Sequence, residues 1–207
     1  MAYQYENKQN VLLEKVKGKT GKISDKTHEE HLKLYTGYVN KTNAILKEFD
    51  TLAGSLDPAN PAHANQIYSE LRSRKVEFSF ALGGVINHEI YFMNLGGKGG
   101  ELKDKIGELI IKNFGSYEAY KKDLKATGIS ARGWVWTGFN TETGSLFNYI
   151  GDVQNTYLVW GVQPILALDV YEHAYYADFY TVRAAYIDEF INYIDWDVVN
   201  TRLKKLL

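Results

Sequence analysis

The 207-residue sequence contains no cysteine, only three prolines and only two methionines. Without cysteine, the chain cannot form disulfides, ligate an iron–sulfur cluster or bind zinc through thiolates. Any metal site in this protein must therefore use nitrogen and oxygen ligands.

The sequence also lacks a run of about 18 apolar residues, which a membrane-spanning helix would need. Residues 1–19 alternate charged and apolar side chains and do not resemble a signal peptide, so we expect a cytoplasmic location and no membrane partner. The formal net charge of -1 provides no excess of basic residues for phosphates, so we expect no nucleic-acid partner. With 45% hydrophobic residues, the chain is long enough to bury a sizeable core.

Apolar residues recur with helical spacing in the first half of the chain. The pattern predicts a helix over 24–49, a loop over 52–65 that holds two of the prolines, and a second helix over 66–93. Together they predict an antiparallel helical hairpin. The glycine-rich segment 96–100 then interrupts the pattern and is interpreted as a linker, because its spacing fits no phosphate-binding loop.

The second half of the chain mixes helical and strand patterns. Helices are predicted over 101–114, 117–126, 182–194 and 196–207, and strands over 133–139, 145–150 and 164–170. The predicted fold class is α+β, with an N-terminal antiparallel α-helical hairpin followed by an α/β domain that has a three-stranded antiparallel sheet. We place the domains at 1–97 and 98–207, with a metal site between them.

Four side chains are candidate metal ligands. Asp169 and His173 lie four residues apart, and the two predicted helices of the hairpin contribute one histidine each, His31 and His88. Ionised carboxylate and neutral imidazole suit manganese or iron. Each residue alone is a weak signal, because a lone histidine on an apolar helix face is more often a hydrogen-bonded core residue.

The residues around these candidates make the signal specific. Residues 169–173 read D-V-Y-E-H, which is similar to the D-x-W-E-H signature of the iron/manganese superoxide dismutase family, with Tyr171 in place of tryptophan. Three further segments resemble that family in the same order: Asn87-His88, Gly133-Trp134-Val135-Trp136 and Trp196-Asp197-Val198-Val199. The resemblance spans roughly residues 24 to 204, nearly the whole chain.

The resemblance implies an activity and a role for each matching residue. Members of the family disproportionate superoxide to oxygen and hydrogen peroxide while one iron or manganese ion per subunit cycles between its trivalent and divalent states. By resemblance, the metal ligands would be His31, His88, Asp169 and His173. The substrate funnel and its surroundings would be formed by Tyr38 as the gateway phenol, Trp134 with Trp136 and Phe92 as walls, and Arg183 as a positive charge for the anionic substrate.

The family also has an amide or imidazole that hydrogen-bonds the metal-bound solvent. Gly84, four residues before His88, cannot supply it, so we predict that Gln154 does. This arrangement resembles manganese members more than typical iron members, which slightly favours manganese and leaves use of both metals open. The resemblance further implies a homodimer formed through Glu172, His173 and Tyr176, and a tetramer stays open.

The first predicted helix departs from the family pattern. Tyr38 follows His31 by seven residues instead of eight, and Tyr35 stands where a second histidine usually meets the interface tyrosine. His28 is an alternative ligand, although the alignment favours His31. Two other functions stay open: a non-catalytic metal-binding protein of the same fold and, less favoured because no general base is evident, a zinc hydrolase.

Overall fold

Helices dominate the computed structural model, which describes residues 3–100, 102 and 104–207. In chain order the helices are α1 (Gln9–Val16), α2 (Asp25–Ala53), α3 (Glu70–Asn94), α4 (Asp104–Phe114), α5 (Tyr117–Ser130), α6 (Tyr176–Phe179), α7 (Arg183–Asn192) and α8 (Trp196–Lys204). The strands are β1 (Trp134–Asn140), β2 (Ser145–Gly151) and β3 (Val162–Asp169), and a short 3-10 turn covers Glu172–Ala174. No helix of the described residues is long and apolar enough to cross a bilayer.

Helices α2 and α3 pack against each other as the predicted hairpin. Each begins at a serine cap: the Ser24 hydroxyl accepts a hydrogen bond from the Thr27 amide, and Ser69 accepts one from the amide of Arg72. α2 extends past the predicted end at residue 49, because residues 50–53 include neither glycine nor proline and the first such residue to follow is Gly54. α3 begins later than the predicted residue 66, because its cap is Ser69. The sequence pattern did not predict α1, whose eight residues are too few to establish a period.

The three strands form an antiparallel sheet in the order β2-β1-β3. This arrangement confirms the predicted fold class. β1 is the central strand, and its first residue, Trp134, pairs with Gly151 on one side and Asp169 on the other. α3 packs against β3, which brings the hairpin to the end of the sheet where Asp169 lies.

The glycine-rich segment is packed against the end of α7. The Gly97 amide donates to the Tyr193 carbonyl and the Gly99 amide to the Ile194 carbonyl. A β-carbon on Gly97 would lie 2.5 Å from the Ile194 carbonyl oxygen, so only glycine fits there. The buried core runs through both halves of the chain, and the division into domains 1–97 and 98–207 stays a prediction. The predicted first residue of the following helix, Glu101, lies outside the described residues.

Candidate metal centre

The four predicted ligands come from four different elements and meet at one point. α2 supplies His31, α3 supplies His88, the last residue of β3 is Asp169, and the 3-10 turn supplies His173. One potential ligand atom from each residue lies within 4.8 Å of the corresponding atom of every other. We call these four residues the ligand cluster. Its members are buried except His173, whose side chain is 31% exposed.

Asp169 is the centre of the ligand cluster. Its Oδ2 lies 3.0 Å from Nε2 of His31, 3.2 Å from Nε2 of His173 and 3.9 Å from Nε2 of His88. Its Oδ1 accepts a hydrogen bond from the Tyr171 amide at 2.9 Å. That bond fixes the carboxylate so that one oxygen faces all three imidazoles.

The hydrogen bonds of His88 define which of its nitrogens is available for a metal. Nδ1 lies 2.6 Å from the Gly84 carbonyl oxygen, and a carbonyl can only accept, so Nδ1 carries the proton. Nε2 therefore keeps its lone pair, and it is buried without a hydrogen-bond partner among the described residues. An unpaired buried acceptor aimed at a carboxylate is unfavourable unless a cation lies between them. Three imidazole nitrogens and one carboxylate oxygen fit iron or manganese.

The ionisation states also suit metal binding. Burial lowers the pKa of His88 to about 3 and also lowers the pKa of His31, so both imidazoles are neutral near pH 7. Burial alone would raise the pKa of Asp169, but the neighbouring His173 and His31 outweigh it and hold that pKa below its ordinary value. His31 and His88 thus offer neutral nitrogens and Asp169 an ionised oxygen. Burial alone would lower the pKa of His173, but Asp169 outweighs it and raises the pKa of that imidazole, so a metal bound there displaces a proton.

Gln154 and Tyr38 lie next to the ligand cluster and are hydrogen-bonded to each other. The Trp134 indole N–H donates to Oε1 of Gln154 at 3.0 Å, and because an indole can only donate, the amide orientation is fixed. Nε2 of Gln154 then donates to the Tyr38 hydroxyl at 3.1 Å. Burial raises the pKa of Tyr38, so its phenol stays protonated at neutral pH and its hydrogen can be donated onward.

Asn87 extends this arrangement and was not predicted to have such a role. Its Oδ1 accepts from the Trp136 indole at 3.1 Å, and its Nδ2 donates to the Gln154 carbonyl at 3.0 Å. We call the set Trp134, Trp136, Asn87, Gln154 and Tyr38 the amide network. The sequence placed Asn87 beside a ligand, but no local pattern indicates a bond between residues 67 positions apart.

Two glycines of α3 make room for the amide network. A β-carbon on Gly84 would lie 2.5 Å from the Tyr38 ring, and one on Gly83 would lie 2.4 Å from the Gln154 carbonyl oxygen. Tyr38 therefore packs directly on the α3 backbone despite being one residue closer to His31 than in the family pattern. The shortened spacing leaves α2 an unbroken helix through both residues.

The structure brings Arg183 to the turn that carries His173. Its Nε donates to the Tyr175 hydroxyl at 3.1 Å, its Nη1 donates to the Ala131 carbonyl at 2.7 Å, and its Nη2 lies 3.6 Å from a carboxylate oxygen of Glu172. The contacts with Glu172 and Tyr175 orient the residues on either side of His173 in sequence. They do not include an atom of the ligand cluster.

Other residues from the predictions lie around the cluster. The Tyr171 ring, in place of the family's tryptophan, stacks on His173 with centroids 5.3 Å apart. Phe92 is buried with its ring 5.0 Å from that of His31. Tyr35 donates to Glu89 at 2.9 Å. His28 lies outside the cluster, where its Nε2 is 2.7 Å from the Thr20 hydroxyl.

Comparisons with known proteins show what the sequence of this chain is similar to. A sequence model described as iron/manganese superoxide dismutases, C-terminal domain, matches residues 102–202. A superoxide dismutase (Fe) from Aquifex aeolicus is 39% identical over 188 residues, which cover 89% of this chain and 86% of that protein. A superoxide dismutase (Fe) from Methanothermobacter thermautotrophicus is 31% identical over 86% of this chain and 84% of its own length. A superoxide dismutase (Mn) from Haloferax volcanii is 32% identical over 82% and 79%, respectively.

Proposed function

Because this chain belongs to the iron/manganese superoxide dismutase family, we propose that its ligand cluster holds one iron or manganese ion for the disproportionation of superoxide. The chain is an enzyme of this family, and the reaction converts two superoxide anions and two protons to oxygen and hydrogen peroxide. The observation that carries the assignment of the site is the convergence of three imidazole nitrogens and one carboxylate oxygen within 4.8 Å.

The ion, when bound, supplies one-electron oxidation and reduction. The protein supplies protons and restricts access. We assign proton delivery to the Tyr38 hydroxyl, which accepts from Gln154 and so has its own hydrogen available for donation. Gln154 would orient solvent at the metal, and Trp134, whose ring centroid is 5.2 Å from that of His88, would keep the site small and of low polarity.

For the metal, we propose that either ion is accepted. The ligand set suits both ions. The position of Gln154 after β2, with glycine at residue 84, supports manganese. The relative with the higher identity, from Aquifex aeolicus, is named for iron, and the one from Haloferax volcanii is named for manganese.

A homodimer is proposed from the surface around His173. This residue is the exposed member of the ligand cluster. The side chain of Glu172, which precedes it, is 64% exposed, and nearby Tyr176 is 49% exposed. A second subunit placed on this surface would cover the ligand and restrict solvent access to the metal. Sedimentation velocity of wild type and Glu172→Ala tests the proposal and distinguishes dimer from tetramer. The cytoplasmic location stays a prediction that cell fractionation would test.

The activity is tested by stripping the purified protein of metal and reloading it separately with iron and manganese. Metal content and superoxide turnover are then measured on each sample. We expect one ion per subunit and turnover with both metals. Turnover with one metal alone would contradict the proposed acceptance of both, and full loading without turnover would leave a metal-binding protein and overturn the assignment of a catalytic site.

A further inference from the structure

An open groove lies on the far side of the amide network from the ligand cluster. Its volume is about 920 Å³, within the range of small-molecule sites. It lies between α3, the loop over 152–161 and α8. Its apolar lining includes Leu82 and Ile86 of α3, Leu158 and Trp160 of the loop, and Leu206. Asn87 and Gln154 line the groove as well as belonging to the amide network.

The loop that borders the groove exposes four consecutive apolar side chains. Tyr157 is 63% exposed, Leu158 59%, Val159 40% and Trp160 97%. Single exposed apolar residues are ordinary on protein surfaces, but a contiguous set beside a concave apolar surface marks a binding site. The side-chain amide of Asn155 donates to the Ser79 hydroxyl at 2.6 Å, which connects the loop to α3.

Arg202 places a positive charge in this groove without a negative partner. Its Nη1 donates to Oδ1 of Asn94 at 2.8 Å and to the Ile165 carbonyl at 2.6 Å, both neutral acceptors. Across residues 3–100, 102 and 104–207, no carboxylate lies within 4.0 Å of the guanidinium, and no acidic residue lines the groove. A largely buried charge is normally compensated by an opposite charge. Burial lowers the pKa of Arg202, in line with the missing carboxylate.

We propose that the groove binds a small amphipathic anion, a fatty carboxylate whose head pairs with Arg202 and whose tail covers Leu158 and Trp160. The two parts of the site match the two parts of such a ligand: a guanidinium for a carboxylate and an apolar surface for an alkyl chain. A second copy of the chain fits less well, because a two-fold contact between grooves would bring two Arg202 side chains together and supply no carboxylate. This binding function goes beyond superoxide dismutation.

Trp160 provides a direct probe. Metal-loaded protein is titrated with dodecanoate below its micellar concentration while tryptophan emission is recorded. We expect a saturable blue shift with one ligand per subunit, because the tail removes Trp160 from water, and we expect Trp160→Phe to abolish the shift. Dodecyltrimethylammonium, which has the same tail and the opposite charge, is expected to bind at least about tenfold more weakly.

The variant Ile86→Glu tests the charge preference by placing a carboxylate in the groove that Arg202 lines. Ile86 is 43% exposed on α3, so the new carboxylate is tolerated, and it opposes binding of an anionic head both by repelling it and by competing for Arg202. The matched control is Ile111→Glu, at a 51% exposed position on α4 outside the groove. We expect dodecanoate affinity to fall at least about tenfold in Ile86→Glu and to stay unchanged in Ile111→Glu.

Three results would overturn the proposal: no saturable shift with dodecanoate, equal affinity for the cationic amphiphile, or equal affinity of the two glutamate variants. A blue shift that depends on protein concentration without ligand, together with a larger sedimenting species, would assign the groove to a second copy instead. None of these measurements uses superoxide turnover, so their failure is separate from failure of the dismutase assignment.

Discussion

The ligand cluster and the amide network lie side by side but differ in how their polar groups are satisfied. In the ligand cluster, Nε2 of His88 and a carboxylate oxygen of Asp169 point at the same space, and both are acceptors. In the amide network, each indole N–H and each amide N–H described above meets an oxygen at 3.0 to 3.1 Å. The first region requires a cation, whereas the bonds that hold Gln154 and Tyr38 in the second are made within the protein.

This difference indicates that the ligand cluster binds the metal, whereas the amide network positions the side chains beside it. A network bonded within the protein holds its geometry whether or not an ion is bound, so Gln154 and Tyr38 are already positioned when the metal arrives. An incomplete cluster gains its stability from the ion. Changes in the two regions should therefore have different effects on metal content, folding and turnover.

The largest effect is expected from His31→Gln, compared with His28→Gln on the same helix. Both histidines are buried, but only His31 belongs to the ligand cluster. We expect His31→Gln to lower metal content and turnover by at least about 100-fold, since changes merely beside metal ligands already cost 10- to 100-fold. His28→Gln should retain its metal. Metal content and superoxide turnover are measured for both variants. Loss of metal in His28→Gln alone would contradict the assignment of His31 as a ligand.

A second comparison uses two glycines at the hairpin. Gly84→Ala places a β-carbon 2.5 Å from the Tyr38 ring, whereas Gly37→Ala meets no atom within 4 Å. We expect Gly84→Ala to destabilise the fold by about 2 to 3 kcal/mol and to slow turnover with metal retained, because Tyr38 must move. Gly37→Ala should stabilise α2 by about 0.5 to 1 kcal/mol. Urea unfolding measures both, and equal stability of the two variants would show that Tyr38 does not depend on Gly84.

The pH dependence of stability provides a smaller effect. Nε2 of His28 lies 2.7 Å from the Thr20 hydroxyl, and burial, with His31 nearby, lowers the pKa of His28 from 6.5 to about 4. Between these pH values the unfolded chain binds the proton and the folded chain does not. The contribution of neutral His28 to the free energy of unfolding is therefore fully present above pH 6.5 and is lost as the pH falls towards 4. We expect metal-free wild type to lose about 2 kcal/mol more than His28→Gln between pH 7 and pH 5, measured by urea unfolding. An equal loss of stability in wild type and His28→Gln between pH 7 and pH 5 would contradict the low pKa of His28.

The smallest effect is an expected absence of change in the amide network when metal is removed. The indole N–H groups of Trp134 and Trp136 are buried and bonded, whereas Trp160 is 97% exposed and serves as an internal reference. In stripped protein we expect the first two to exchange with solvent far more slowly than the third, as followed by NMR. Exchange of Trp134 as fast as Trp160 would show that the network depends on the ion.

Much of the architecture could be predicted from local patterns. The spacing of apolar residues indicated the two long helices and the three strands, because these patterns depend on residues that are neighbours in sequence. Helix ends were less accurate, since they depend on individual residues such as Ser69 and Gly54. The glycine-rich segment was interpreted as a linker, but its tight packing on α7 involves residues almost 100 positions away.

For the site, the sequence by itself determined the kind of chemistry. The absence of cysteine, the histidines and aspartate at their spacings, and the flanking motifs indicated a nitrogen and oxygen site for iron or manganese. Only the tertiary structure decided which nitrogen of His88 is available, how Gln154 is oriented, and that Asn87 and Arg202 line a common groove. The physical reason is range: residue type and spacing are local, whereas the bond between His31 and Asp169 joins residues 138 positions apart and depends on how helix packs on sheet.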